Sequence, residues 1–289
     1  MNVRDKTSED LAERAAEALR EEFLIDGGNA RPDVGVVLGT GWGQALPWEE
    51  KTIIRRGIGS LPGFDAAHLR ALAGHVRQVV FGRVDRRQVV ALQGRIHLNE
   101  APHDQNLARM FRLQIEMLIK LGVKTLILPA ATVSLKPEIE VGDIMVVDGF
   151  MTLFAPDMPL FAGEFSSPED TLDPELLELA VASVNEITGH AKVGGYAMVR
   201  GRFFEGGKYD KSFLMATDAS TVGMSTLPEA CVAALYPDVK VIALNFITNT
   251  AFETHSHDVN QERARKKAYD MGRVLGSIIS KIGKPVIPE

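Results

Sequence analysis

The chain has 289 residues, 45% of them hydrophobic and 24% charged, an ordinary composition for a folded soluble protein. Its net charge of −6 excludes the broad basic footprint of a general nucleic-acid or membrane-surface binder, but leaves a small anionic ligand open. Cys231 is the single cysteine, so neither an internal disulfide nor a cysteine-built zinc cage can form.

The length suits one α/β domain over 1–289, opened by a helix at about 7–26. That helix carries Leu11, Ala15, Leu19 and Phe23 at helical spacing, with Thr7 or Ser8 as cap and Gly27-Gly28 as stop. The charged N-terminus lacks the apolar segment of a secretory signal, and no apolar run reaches about 18 residues, so a cytoplasmic location is expected. Asp33–Leu38 reads as a buried strand running into Gly39-Thr40-Gly41-Trp42-Gly43. Such a loop is either a plain tight turn or a cradle of backbone amides with Thr40 as extra donor. Its alternating glycines miss the dinucleotide-binding spacing, which counts against a nicotinamide dehydrogenase, and no P-loop Gly-Lys follows.

Strands are expected at Thr52–Gly57, Arg77–Val84 and Arg87–Leu92, the last two joined at Asp85-Arg86. His75 falls in the loop between. Arg95 and His97 follow the third strand two residues apart, a spacing that would put both on one side of an extended chain and suit an anion. Leu107–Leu121 reads as an amphipathic helix closed by Gly122, its methionines serving as core filler. Val123–Leu128 and Ile144–Val147 read as strands. The segment 150–172, with Phe150, Phe154, Phe161 and Phe165, reads as a long loop suited to a subunit contact.

A helix over Pro174–Ile187, a strand over Tyr196–Val199 and a helix near Lys208–Ala216 follow. In Val222-Gly223-Met224-Ser225-Thr226-Leu227-Pro228-Glu229 a strand stops at two hydroxyls and turns into a helix, where Ser225 and Thr226 have N-cap character. A helix N-terminus so dressed suits an anionic oxygen. Val239–Phe246 is a strand ending in Ile247-Thr248-Asn249-Thr250, and Asn260–Ile282 is the last helix. His255 and His257 lack a third ligand at a supportive spacing, so no metal is expected. Strand–helix alternation gives an α/β fold, a central twisted mixed sheet flanked by helices. Thr40, Arg95, His97, Ala131, Glu205, Ser225 and Asn249 all fall just beyond strand ends, where ligands of such folds collect.

From about residue 34 to 282 these motifs, in order and spacing, resemble the trimeric purine nucleoside phosphorylases, with the methylthioadenosine phosphorylases as near relatives. The resemblance rests on Gly74-His75, Gln93-Gly94-Arg95 to Glu100, Glu140–Met145, Phe204-Glu205, Val222–Glu229 and Ile247-Thr248-Asn249. It implies a homotrimer that needs no cofactor and takes inorganic phosphate as co-substrate in purine salvage. By the same resemblance Thr40, Arg95, His97, Ser225 and the Ala131 N–H would bind phosphate, with His75 at the mouth. Phe204, Met224, Tyr196 and Val222 would line the nucleoside, and Glu205 and Asn249 would read the base. His257 would meet the ribose 5′-hydroxyl, and Phe165 would reach into a neighbouring subunit's site. His97, Glu205 and Asn249 are the expected catalytic groups.

An amide at 249 can donate to a 6-oxopurine, where an aspartate would accept from a 6-amino group. The expected activity is therefore phosphorolysis of inosine or guanosine. Alternatives are a xanthosine or methylthioadenosine type of substrate, or a nucleoside-binding homologue without turnover. The chain departs from the family at Asn99, where a tyrosine is usual, and at Ala130-Ala131-Thr132-Val133-Ser134, where Val133 replaces a glycine. Arg200 and Arg202 stand where neutral residues are usual. The Asn249–His257 segment is short, which makes His255 an alternative to His257.

Overall fold

In the computed structural model the described residues are 5–23, 31–66, 69, 76–100, 103–153, 158–199, 207–253 and 256–284. In chain order the elements are α1 (Lys6–Phe23), β1 (Val34–Leu38), β2 (Ile54–Gly57), β3 (Gln78–Val84), β4 (Arg87–Gln93), α2 (Gln105–Leu121), β5 (Thr125–Ser134) and β6 (Ile144–Met151). Then come α3 (Pro174–Thr188), β7 (Lys192–Met198), α4 (Lys208–Met215), β8 (Ala219–Gly223), α5 (Leu227–Ala233), β9 (Lys240–Thr250) and α6 (His257–Lys281).

The strands form one mixed sheet of order β2-β3-β4-β1-β5-β8-β7-β6-β9, and β9 also pairs with β5. The ring β5–β8–β7–β6–β9 therefore closes on itself, while β1, β4, β3 and β2 extend from β5 as an open wing. Closure removes strand edges that would otherwise be open to unwanted pairing. The expected twisted mixed sheet is present, rolled into a barrel over half its strands.

Two apolar layers hold it. On one face α1 and α2 pack against the wing, with Leu19, Phe111, Leu118 and Leu92 fully or almost fully buried. Each such side chain contributes roughly 1.5–3 kcal/mol of burial. On the other face α3 and α6 cover the sheet through Leu179, Val184, Leu275 and Ile278. Helix α2 has a complete set of end signals. The Asp104 carboxylate accepts from the N–H groups of Asn106 and Leu107, and Gly122 closes the helix at φ 119°.

Several boundaries differ from the sequence expectation, each for a local reason. Helix α1 begins at Lys6, and its start is capped by Asp5, whose Oδ1 accepts from Thr7 N at 3.1 Å. Neither Thr7 nor Ser8 is the cap; Ser8 Oγ instead donates to Glu116 Oε2 at 2.6 Å. Strand β2 starts at Ile54, after a 3-10 turn over Glu50–Thr52. Strand β7 starts at Lys192, because Gly194 and Gly195 hide the alternation that marks a strand. A Cβ at Gly194 would lie 2.2 Å from Ser220 Oγ, so the glycine lets β7 and β8 pair closely.

Strands β5, β6 and β9 run past their expected ends to Ser134, Met151 and Thr250. For β9 the polar Thr248-Asn249-Thr250 continues the ladder, with Asn249 opposite Val133 and Thr250 opposite Ser134. Helix α6 starts at His257 rather than Asn260, with Ser256 as N-cap and Asp258 suiting the positive end of the dipole.

Candidate active site

Strand β5 changes partner along its length. Its start, Thr125–Ile127, lies between β1 and β9, and its end, Val133–Ser134, lies between β8 and β9. Between Ile127 and Val133 it has β9 on one side only, so β1 and β8 splay apart into a fork. Pro129, which has no N–H to leave unpaired, sits inside this interval. Ala131 is the one residue of β5 that is not fully buried. Divergence of neighbouring strands is where α/β sheets place ligands.

Four segments converge on the fork. The first is the loop after β1. Trp42 N donates to Gly39 O at 3.0 Å, Gly41 takes φ 81°, and Trp42 Nε1 donates to Ala130 O at 3.1 Å. A Cβ on Gly39 would sit 2.6 Å from Arg95 Nη2 and 2.9 Å from Pro129 O, so the backbone must be bare there. Thr40 is exposed on this loop.

The second is the segment after β4. Gly94 turns the chain at φ 79°, so Arg95 and His97 do not share the side of an extended strand as their spacing suggested. Arg95 is fully buried beneath the glycine loop. Its Nη2 donates to Val37 O (2.9 Å) and Pro129 O (2.6 Å), and its Nη1 to Glu229 Oε1 (2.7 Å). Its Nε is buried and has no partner among the described residues. His97 is half-buried, and its backbone N–H donates to Glu100 Oε1 at 2.8 Å.

The third is the turn after β8. Because β8 is antiparallel to β5, the chain past Gly223 heads back along β5 toward Ala131. Leu227 N donates to Ser225 O at 2.8 Å across Thr226, which holds φ 74° and ψ −55°. That is a γ-turn of the rare, strained kind. The expected side-chain cap is absent: Thr226 stands at the N-cap position, but its side chain makes no capping bond. The Ser225 and Leu227 N–H groups are also already used, so a simple helix-end anion site is not what the turn provides. Tyr196 holds the turn from below, its hydroxyl donating to Ser225 O at 2.6 Å and accepting from Ser225 N at 3.2 Å. Burial pushes the Tyr196 phenol far above its ordinary range, so it stays a donor. Asn99 Nδ2 donates to Met224 O at 3.1 Å, joining this turn to the segment after β4.

The fourth is the end of β9. Asn249 is 1% exposed, and its Oδ1 accepts from Thr248 Oγ1 and Asn260 Nδ2, both at 2.9 Å. Its Nδ2 has no partner among the described residues. Arg263 anchors this strand end to α6, donating to Thr248 O (2.7 Å) and pairing with Glu253 (2.8 Å).

The fork thus brings together Thr40, Arg95, His97, Ala131, Met224, Ser225, Tyr196 and Asn249. Ala131 and Asn249 lie within strands rather than beyond their ends. Val222 and Val133 are cross-strand neighbours, both fully buried in a small apolar cluster with Leu214 and Ala219. Their side chains fill core there. Phe165 stands apart, 79% exposed. His257 opens α6, and its side chain lies outside the described residues, as do His75, Arg200, Arg202, Phe204, Glu205 and His255. Among the described residues no cluster of three metal-ligating side chains occurs.

Sequence reasoning did not anticipate Thr248 and Asn260 as the groups that orient Asn249, nor Glu229 as the counter-charge of Arg95. Glu229 carried a usable signal, since a guanidinium leaving an apolar strand needs a carboxylate if it is buried. Asn260 carried none, because an asparagine early in a helix reads as capping.

A sequence model of the Phosphorylase superfamily matches residues 33–280. Purine nucleoside phosphorylase 1 of Geobacillus stearothermophilus is 27% identical over 282 residues, covering 94% of this chain and 97% of the relative. The purine nucleoside phosphorylase of Mycobacterium tuberculosis is 29% identical over 279 residues, with 94% and 97% covered. A crystal structure of Schistosoma mansoni purine nucleoside phosphorylase in complex with inosine superposes with a TM-score of 0.81 at 22% identity, covering 96% of this chain and 98% of that one. With the superfamily model spanning most of the chain and these relatives aligned nearly end to end, the chain belongs to the purine nucleoside phosphorylase family of the phosphorylase superfamily.

Proposed function

We propose that the chain catalyses phosphorolysis of 6-oxopurine nucleosides, inosine and guanosine, to the free base and ribose 1-phosphate. A phosphate oxygen attacks C1′ as the C1′–N9 bond breaks, the bond's electron pair leaves on the purine, and the proton that hydrogen phosphate brings in balances the base at N7. The transition state is positive at the sugar and negative at the base. A phosphate dianion seated at the fork by Thr40, Arg95, His97, Ser225 and the Ala131 N–H would stabilise the first charge and fix the line of attack. A donor at the base edge would stabilise the second.

The observation that carries this reading is the Asn249 amide. Its oxygen is engaged by Thr248 and Asn260, while its nitrogen is buried and without a partner among the described residues. A buried free donor suits an acceptor such as O6 or N7 of a 6-oxopurine. Glu205 is proposed to accept from ring N1–H, and Phe204, Met224, Tyr196 and His257 to flank base and ribose. Phosphate is a co-substrate in this reading, and no cofactor takes part.

One feature supports a second substrate class. A half-turn of the Asn260 amide would bring its nitrogen 3.3 Å from Thr248 O and Ser256 O and turn its oxygen to Asn249 at 2.9 Å. Asn249 would then donate to Asn260 and present its own oxygen, which suits a 6-aminopurine. Incubating the protein with inosine, guanosine, xanthosine, adenosine and methylthioadenosine, with and without phosphate, separates these readings. Phosphate-dependent release of hypoxanthine and guanine is expected, and preference for adenosine would support the turned amide. Stabilisation by nucleosides with no product from any of them would replace the enzyme reading with a binding one.

A further inference from the structure

We propose that Arg77 is a second guanidinium of the phosphate-binding corner, meeting the anion through Nε and Nη1 beside the site that the family resemblance assigns to Arg95. This rests on the phosphorolytic reading above and extends it to a residue outside the motifs that carry the family resemblance.

Arg77 is 6% exposed, and its Nη2 pairs with Glu100 Oε2. The other oxygen of Glu100 accepts the backbone N–H of His97, which places the guanidinium one carboxylate away from the proposed phosphate segment. Nε and Nη1 of Arg77 are buried and have no partner among the described residues. Folded proteins leave few buried donors unmatched, and those of a cation are the most costly. An oxyanion is the ligand class that a guanidinium edge fits, because two parallel N–H groups match two phosphate oxygens.

Both guanidiniums near the fork are paired with a carboxylate, Arg95 with Glu229 and Arg77 with Glu100. Glu100 beside His97 would repel phosphate if it stood alone, and Arg77 cancels it. The backbone adds an independent sign. Arg77 holds φ 51°, a conformation that costs an L-residue and suits glycine. An arginine kept in a strained position is what a functional side chain would explain.

Arg77→Gly tests this cleanly, because glycine relaxes the backbone at that φ while deleting the guanidinium. The expected result is a phosphate KM raised about tenfold or more, since charge-assisted bonds are lost. The nucleoside KM should stay within about twofold, and phosphate should lose most of its effect on the thermal midpoint. Arg77→Lys, which restores charge without the fork, should fall between. Wild-type phosphate KM in a folded Arg77→Gly protein would overturn the proposal and leave the phosphorolytic reading standing. If circular dichroism shows that variant unfolded, Arg77→Gln is judged by the same KM criterion. A wild-type chain that neither cleaves nucleosides with phosphate nor is stabilised by it would overturn both.

Discussion

At the scale of single residues, two side chains carry the proposed chemistry. Replacing Asn249 with Asp exchanges a buried free donor for an acceptor, so preference should move from inosine toward adenosine. The ratio of kcat/KM values for the two nucleosides measures it, and an unchanged ratio would mean that Asn249 does not read the base. Tyr196→Phe leaves the ring packed against Phe150 at a centroid distance of 6.4 Å but strips both bonds from Ser225. Leaving those two buried groups unpaired should cost about 1–3 kcal/mol in urea unfolding and lower kcat. The residue types at 40, 95, 97, 225 and 249 were legible because hydroxyl, guanidinium, imidazole and amide each announce a chemistry. What those groups touch was not. Arg95 reads as an anion ligand, but that its Nη groups bond the carbonyls of Val37 and Pro129 and the Glu229 carboxylate, 134 residues away, could not be seen. The γ-turn at Thr226 was invisible, since a threonine gives no hint of a positive φ that only a tertiary clamp from Tyr196 maintains.

At the scale of elements, the segment before Phe165 is held by a buried charge cluster. Arg112 of α2 pairs through Nε with Glu116 (2.8 Å) and through both Nη atoms with Glu164, and all three side chains are fully buried. Tyr236 and Ser8 complete Glu116, and the N–H groups of Asp5 and Phe161 complete Glu164. Ala162 at φ 54° and Gly163 at φ 77° fold the chain back between Phe161 and Glu164. For Glu164 burial favours the neutral acid, but the bonds from Arg112, Phe161 and Asp5 outweigh it and hold the carboxyl below its ordinary range. Its stabilising contribution is therefore complete above the unfolded-state value of about 4.3 and is lost as pH falls through the lower folded value. Glu164→Gln should destabilise the protein by about 3–5 kcal/mol near neutrality, as breaking a buried pair does. That gap from wild type should narrow as the pH drops below about 4, and a gap flat with pH would show that the carboxylate charge contributes nothing. Helix periodicity made α2 legible to within two residues. The ends of β5 and β9 were not, because Pro129 and the polar Thr248–Thr250 look like strand breakers, and only the pairing of Pro129 with Leu244 and of Asn249-Thr250 with Val133-Ser134 shows otherwise.

For the whole molecule, closure of β5 to β9 through three other strands could not be read from the chain, because a ring is a property of pairing and not of any one strand. Assembly is likewise hinted at by one exposed ring. Phe165 is 79% exposed, yet it follows Glu164, whose side chain is locked to α2. A large apolar side chain presented to solvent from a rigid anchor loses little entropy on docking, so it suits a contact with a second copy. The family resemblance implies that this contact completes a neighbour's nucleoside site, and a homotrimer follows as our proposal. Light scattering should then give a mass near three times the 31.5 kDa of the chain. Phe165→Ala should raise the nucleoside KM several-fold while the phosphate KM stays put, because the phosphate corner is built within one subunit. The anchor makes a sharper contrast. Glu164→Gln keeps Phe165 but loosens what holds it, so it should raise the nucleoside KM in the same direction, and Phe165→Ala should then add little on top. Fully additive effects of the two changes would separate the anchor from the ring. A monomer that retains full activity would remove Phe165 from the site altogether.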